Sequence, residues 1–178
     1  RKGTLDPRSV AVPVDVCARG QALLGGGKPG RAVERLTPAD VLGLKDCQMR
    51  YGLLLNDAGG IKDDCMTARL AGESALYLVV NAATKESDFA HIGERLRGDA
   101  ILNHQPSRAL LALQGPLAES VVSRHCEGAS ALGFMRVARM TITGAPANVS
   151  RSCYTGEDGF AVSLTTATVE PVERRLMG

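Results

Sequence analysis

Hydrophobic positions along the chain follow two rhythms, one of period two and one near 3.6, and their order sets the expected elements. Tyr51 to Leu55 and Ile61 to Leu70 flank Asn56-Asp57-Ala58-Gly59-Gly60. Two glycines able to take positive φ between apolar runs predict a β-hairpin with a short loop. Leu76 to Asn81 reads as a third, fully buried strand. From Thr84 to Leu96, Phe89, Ile92 and Leu96 recur at i, i+3 and i+7 with charges between them, the pattern of an amphipathic helix closed by Gly98. Upstream, Thr37-Pro38-Ala39-Asp40 offers a capping oxygen, a proline for the first helical position and an early acid, which predicts a short helix to about Leu44.

A second block opens with a strand from Arg108 to Leu113. It turns through Gln114-Gly115 into a helix with Pro116 at its first position and Leu117, Val121 and Val122 inward. Met135 to Thr143, Ala147 to Ser152 and Phe160 to Leu164 follow as antiparallel strands, separated by Gly144-Ala145-Pro146 and Gly156-Glu157-Asp158-Gly159. Residues 1–30 hold Pro7, Pro13, Pro29 and a glycine run, and read as loop around at most one short strand. The mixed order of elements predicts an α+β fold with antiparallel or mixed sheets and packed helices, not a doubly wound parallel sheet. The expected organisation is an irregular segment 1–30, a lobe 31–106 and an incomplete lobe 107–178.

Composition narrows the function classes. A formal net charge of +2 is too small for a phosphate-backbone footprint, and 3% aromatics with no Trp cannot build a stacking platform for bases, so no nucleic-acid partner is expected. The longest apolar stretches, such as Leu76 to Val80, fall far short of the ~18 residues of a membrane span, so no membrane association is expected either. Five cysteines with no C-x-x-C pair indicate neither a disulfide framework nor a zinc ribbon, and fit a reducing compartment. The chain begins at Arg1 with no apolar signal core, which reads as a truncated or irregular start without a targeting peptide.

Most candidate chemistries fail on spacing. Gly27-Lys28 is preceded at the required distance by Ala22 and followed by Pro29, so it is not a phosphate loop. His91, His104 and His125 stand at no metal-ligand spacing, Asp57-Ala58-Gly59 lacks the alternating oxygens of a calcium loop, and no metal site is expected. Gly128-Ala129-Ser130-Ala131-Leu132 misses the last glycine of a nucleophile elbow. The acidic pair Asp63-Asp64 opens the strand after the glycine turn; because strand side chains alternate, one faces a cavity and the other water. A carboxylate in a partly desolvated pocket is able to act on a substrate nitrogen, whereas the bland alternative is a solvated turn. Tyr51, Tyr77 and Tyr154 each offer a flat apolar face with a polar tip, suited to a heteroaromatic ligand, although core packing is the simpler role for Tyr77.

Several stretches, in order, are similar to one family. They are Leu36-Thr37-Pro38-Ala39-Asp40, Tyr51 to Asp64, Val79-Val80-Asn81-Ala82-Ala83, Leu113-Gln114-Gly115-Pro116 and Ser150-Arg151-Ser152-Cys153-Tyr154-Thr155-Gly156-Glu157-Asp158-Gly159-Phe160. Together they resemble the aminomethyltransferases, the T-proteins of the glycine cleavage system, over about residues 33–164. The resemblance implies an enzyme that accepts the aminomethyl group from the lipoyl arm of H-protein, releases ammonia and passes the one-carbon unit to tetrahydrofolate. It implies Asp64 as the active-site carboxylate and Tyr51, Asn81 and Tyr154 as folate-pocket residues, with Val79 an apolar wall. It also implies a bacterial cytoplasm or a mitochondrial matrix.

Departures point to alternatives. Ala161 stands where the family carries a pterin-binding Glu, and Cys17-Ala18-Arg19 replaces a Ser-His-Met signature. With roughly half of a full-length member missing, weakened or absent turnover and a noncatalytic folate-binding fragment are the competing expectation. Cys153, in place of a glycine, resembles the related folate-dependent proteins that maintain iron–sulfur clusters, but Glu157-Asp158-Gly159-Phe160 and Asp63-Asp64 fit the aminomethyltransferases better.

Overall fold

A computed structural model describes residues 11–96, 98–153 and 156–177, with the backbone alone for 12–15. In chain order the elements are β1 (Val12–Asp15), β2 (Gly20–Gly25), α1 (Pro29–Glu34), β3 (Gln48–Leu55), β4 (Ile61–Arg69), β5 (Leu76–Val80), α2 (Lys85–Leu96) and β6 (Ile101–His104). There follow β7 (Arg108–Gln114), α3 (Ala118–Ser123), a 3-10 turn at Ala129–Ala131, β8 (Arg136–Ile142), β9 (Ala145–Arg151), β10 (Gly159–Thr165) and α4 (Thr166–Met177). The α+β class follows directly. The chain divides into two compact units, one spanning Ala18–Pro106 and the other joining residues 11–17 to those from Ser107 on.

In the first unit the strands are antiparallel in the order β3-β4-β5-β2-β6. The β3–β4 hairpin forms where the glycine turn predicts it, with Asn56 N–H bonded to Gly60 O at 2.9 Å. All five residues of β5 are buried because the strand is flanked by β4 and β2 and packed on its faces. Leu24, Leu54, Cys65, Leu76, Leu78 and Val80 form one apolar face, which α1 and α2 cover with Ala32, Val33, Phe89, Ile92 and Leu96. A Cβ at Gly20 would lie 2.7 Å from Val80 Cγ2 and 2.8 Å from Phe89 Cζ. The bare glycine is therefore what lets the N-terminal half of α2 settle onto the sheet.

In the second unit the order is β1-β7-β10-β9-β8, again antiparallel. Its core joins Leu111, Leu113, Val149, Phe160, Val162 and Leu164 of the sheet to Val122 of α3 and Val172 and Leu176 of α4. Among the described residues no helix is long and apolar enough to cross a membrane.

Three local expectations change. Residues 37–44 form turns, not a helix, because side-chain oxygens take the amides a helix would need. Asp40 Oδ1 takes the Gly43 N–H and Glu34 Oε1 the Leu42 N–H, while Thr37 Oγ1 accepts from Ala39 N–H as a cap would. The stretch 1–30 is not merely irregular: within its described part lie β1, β2 and the start of α1, which uses Pro29 in its first turn, where a missing N–H costs nothing. Finally, α3 begins after Leu117, which is 49% exposed and not inward, while Val122 is fully buried.

Candidate functional site

The first unit brings together most of the expected site. Directly opposed residues share a sheet face, and Tyr51, Met66, Val79 and Gln21 form one such row across β3, β4, β5 and β2. Asp64 lies two residues before Met66 and Asn81 two beyond Val79, so both belong to that face. Asp63 falls on the opposite face, with Cys65, toward α2. The acidic pair alternates faces as expected, but neither acid is left to water: both are half-buried, and Asp63 is held by Asn81, Thr84 and the Asp64 N–H.

Asn81 bridges the two. Its Nδ2 donates to Asp63 Oδ1 at 2.8 Å and to Asp64 Oδ1 at 2.7 Å. The remaining Asp64 oxygen, Oδ2, accepts from the Tyr51 hydroxyl at 2.9 Å. Tyr51 is 57% exposed, so its ring lies open to a ligand while its hydroxyl is occupied. That hydrogen bond to Asp64, with some burial and nearby negative charge, raises the phenol above its ordinary value and keeps it a donor. Val79 is buried and contributes to the floor of the face.

Asp63 is held more fully. Its Oδ1 accepts from Asn81 and from the Asp64 N–H at 2.8 Å, and its Oδ2 accepts from the Thr84 hydroxyl. Burial alone would raise this carboxyl, but these hydrogen bonds outweigh it and hold Asp63 below the ordinary carboxylate range. It is a scaffold for its neighbour. Behind it, Asp88 of α2 is 1% exposed, and burial pushes it up to about 6. Burial likewise pushes the Cys65 thiol up to about 12, so Cys65 is inert packing.

Thr84 and Asp88 are the participants that motif reading misses. Asp88 stands four residues before Ile92, inside the inward stripe of α2, and an acid in an apolar stripe is the signal that points to it. The base of the hairpin is tied to the same helix, with His91 Nε2 3.0 Å from Leu55 O and the Arg95 guanidinium paired to Asp57 at 3.1 Å.

The second unit carries the Ser150 to Phe160 motif. Tyr154, expected at the folate pocket, lies outside the described residues. Around it the frame is rigidly specified. The Arg151 guanidinium donates to Asp158 at 2.6 and 2.9 Å, to Glu119 at 2.6 Å and to Leu132 O at 3.1 Å, and stands over the Phe160 ring. Its pairing with Asp158 first, and with Glu119, drives its pKa further up, so the charge is permanent. Ser152 N–H bonds Gly159 O at 2.9 Å, and a Cβ at Gly159 would fall 2.2 Å from the Gln114 carboxamide. Gly156 N–H donates to Cys153 Sγ at 2.9 Å. Ala161 is 4% exposed in β10, between Ala112 and Ser150.

Residues 6–178 match the family model described as the GCVT N-terminal domain. The chain is 34% identical over 167 residues to the aminomethyltransferase of Synechococcus sp. (strain RCC307), covering 92% of this chain and 46% of that protein. It is 40% identical over 167 residues to the aminomethyltransferase of Rubrobacter xylanophilus, covering 92% and 44%. Among solved structures, the glycine cleavage system aminomethyltransferase T from Bartonella henselae superposes with a TM-score of 0.85 at 32% identity, over 97% of this chain and 46% of that one. The chain thus spans about half the length of the curated relatives it matches. With the family model matched almost from end to end, and the Asp63-Asp64 hairpin folded as a paired, bridged unit, the chain belongs to the GCVT N-terminal domain family.

Proposed function

We propose that the chain forms the folate-binding part of an aminomethyltransferase of the glycine cleavage system. In this reading the one-carbon unit moves from the aminomethyl group on the lipoyl arm of H-protein to tetrahydrofolate, with release of ammonia. The observation that carries it is the Asp64 carboxylate, held by Tyr51 and Asn81 on one sheet face, in a chain similar to proteins named aminomethyltransferase.

The residues on that face suit a reduced pterin. A flat ring needs an aromatic or apolar wall, which Tyr51 and Val79 supply, and its N–H groups need an acceptor. An ionised carboxylate is acceptor-only, so Asp64 meets that need. Tetrahydrofolate, when bound, supplies the nucleophilic nitrogen. Asp64 orients that nitrogen, takes its proton and stabilises the positive charge that develops as the carbon–sulfur bond breaks. Asn81 and Tyr51 keep the carboxylate aimed, so little reorganisation accompanies the step. The reaction belongs to a bacterial cytoplasm or a mitochondrial matrix.

A second reading, a folate-binding fragment without turnover, is favoured by Ala161. Its methyl sits buried where the family resemblance expects a pterin-binding acid, so one charge-assisted anchor is missing.

Tetrahydrofolate calorimetry on the purified chain beside Asp64→Ala tests the proposal. The variant should bind about tenfold or more weakly with its fold intact, since a hydrogen bond to a charged group contributes about 1.5–3 kcal/mol. Equal binding by both would remove Asp64 from the site. Ammonia release with aminomethylated H-protein then separates the enzyme from the inert fragment.

A further inference from the structure

Asp88 occupies an unusual place for a carboxyl. It is 1% exposed, in the first turn of α2, with its own N–H bonded to Thr84 O at 2.9 Å. Its Oδ2 has no hydrogen-bond donor among the described groups. Thr84 joins Asp88 to Asp63: the Thr84 carbonyl accepts from the Asp88 N–H while the Thr84 hydroxyl donates to Asp63 Oδ2, and the neighbouring Asp63 charge adds to burial in raising the Asp88 carboxyl. Asp63 is already committed as an acceptor to Asn81, Thr84 and the Asp64 N–H. Two carboxylates facing each other out of water repel, whereas one proton between them turns that repulsion into a hydrogen bond.

The surroundings assign the proton. From β4, Asp63 and the Cys65 thiol lie on the face toward α2, Cys65 stays neutral, and the exposed Lys62 acts on Asp88 only through its charge. From the 81–84 turn comes Thr84, a hydroxyl without charge. On α2 itself, Lys85 donates to Ala18 O and buried His91 bonds Leu55 O. The charged groups of α1 and β6 are engaged or outward: Glu34 accepts from Leu42 N–H, Arg31 is exposed, and His104 rests on Phe89 at 4.3 Å. Lys62 is exposed, so among the described residues no cation is buried with Asp88 to keep it ionised. Asp63, with three donors, takes the charge; Asp88, with an unfilled oxygen, takes the proton.

We propose that Asp88 is a positioning residue: it carries the proton of the Asp63–Asp88 pair, donates to Asp63, and through Asp63 and Asn81 holds Asp64 in place as the ionised carboxylate. This rests on the reading of Asp64 as the acting group. Once Asp88 ionises, a second buried negative charge pushes against Asp63, and the Asn81 amide that spans Asp63 and Asp64 must shift with it. A purely packing role would leave Asn81 indifferent to the state of Asp88.

The test is an NMR titration of the full chain, following the side-chain carboxyl carbons and the Asn81 amide, with tetrahydrofolate calorimetry at the same pH values. In the wild type, Asp88 should titrate near 6 and the Asn81 amide should shift with the same midpoint. Asp88→Asn, which keeps a donor and cannot ionise, should abolish the Asn81 response. Its folate affinity should stay flat where the wild type loses about threefold or more across the step. Thr84→Val should leave an Asp88 step but weaken its transmission to Asn81. An Asp88 midpoint in the ordinary carboxylate range would overturn the proposal, as would an Asn81 midpoint unrelated to it. These two wild-type readings decide the matter even if a variant fails to fold. Absence of folate binding at every pH would instead remove the proposed function, and the titration would still decide the role of Asp88.

Discussion

The Tyr51 hydroxyl reaches Asp64 Oδ2 at 2.9 Å from the neighbouring strand of the same hairpin. Tyr51 is therefore defined by what it does for a carboxylate, since more than half of the residue is open and little core depends on it. Tyr51→Phe should change stability by less than about 0.5 kcal/mol, as surface substitutions do. It should weaken tetrahydrofolate binding by roughly three- to tenfold, less than a lost contact to the ligand itself, because the bond acts on binding only by aiming Asp64. A thermal melt and a calorimetric titration on the same sample separate the two effects.

Asn81 carries more. Asn81→Ala removes the donor common to Asp63 and Asp64, and Asp63 is half-buried. A cost of about 1–3 kcal/mol in urea unfolding is expected, with folate affinity lost alongside it. Unchanged stability would mean that water replaces the amide without penalty.

Protonation of the half-buried Asp63 and of the buried Asp88 acts in opposite directions. Asp63 is held below its ordinary value, so its contribution is present above the unfolded pKa and is lost as pH falls through the folded one. Asp88 is raised to about 6, so the folded state binds its proton more tightly, and stability is lost as pH rises from about 4 to about 6. Asp88→Asn should therefore melt higher than wild type at neutral pH, by up to about 3 kcal/mol, and the gap should close near pH 4. Melts at both pH values check the sign.

Arg151 should be the costliest single position in the second unit. Its guanidinium satisfies Asp158, Glu119 and the Leu132 carbonyl at once, and its side chain is only 20% exposed. Arg151→Met leaves two carboxylates facing each other without a cation, at about 2–4 kcal/mol by comparison with broken, partly buried pairs. Arg151→Lys should recover only part, because an ammonium cannot serve both carboxylates in the same fork. Chemical denaturation of the three proteins reads the series.

Ala161→Glu tests the family resemblance directly. The position is 4% exposed, so a carboxylate there should lower the stability of the unliganded chain by about 1–3 kcal/mol. If a pterin is its partner, added tetrahydrofolate should return that loss and bind more tightly than to wild type. Loss without recovery would argue against a folate contact at this strand.

The local signals were strong where one period or one turn dominated. The β3–β4 hairpin, β5 and α2 were legible because glycine turns, an unbroken apolar run and a spaced stripe each admit one reading. The acidic pair and Tyr51 stood out by residue type, Asn81 only through family motifs, and hydrogen bonds bring Tyr51, Asp64 and Asn81 together across β3, β4 and the end of β5. What local reading could not reach was set by partners far along the chain. β2 looks like loop until β5 and β6 flank it, and the capping residues at 37–44 spend their oxygens on turns. Asp88 was passed over although it falls in the inward stripe of α2, because no spacing rule connects it to Asp63 on β4.

The position of β2 has a consequence for the order of assembly. It is an early segment of the chain, yet it lies between β5 and β6, paired as Gly20 with Val80 and as Leu24 with Leu102. Contacts this distant in sequence close late, because the loop entropy must be overcome before they reward it. During synthesis the β3–β4–β5 meander is able to form first, and β2 must wait, unpaired, until β5 and then β6 have left the ribosome. The same delay applies to β1, whose partner is β7. Both strands are thus secured only after strands made later than they are, and a substitution in either should speed unfolding more than it slows folding.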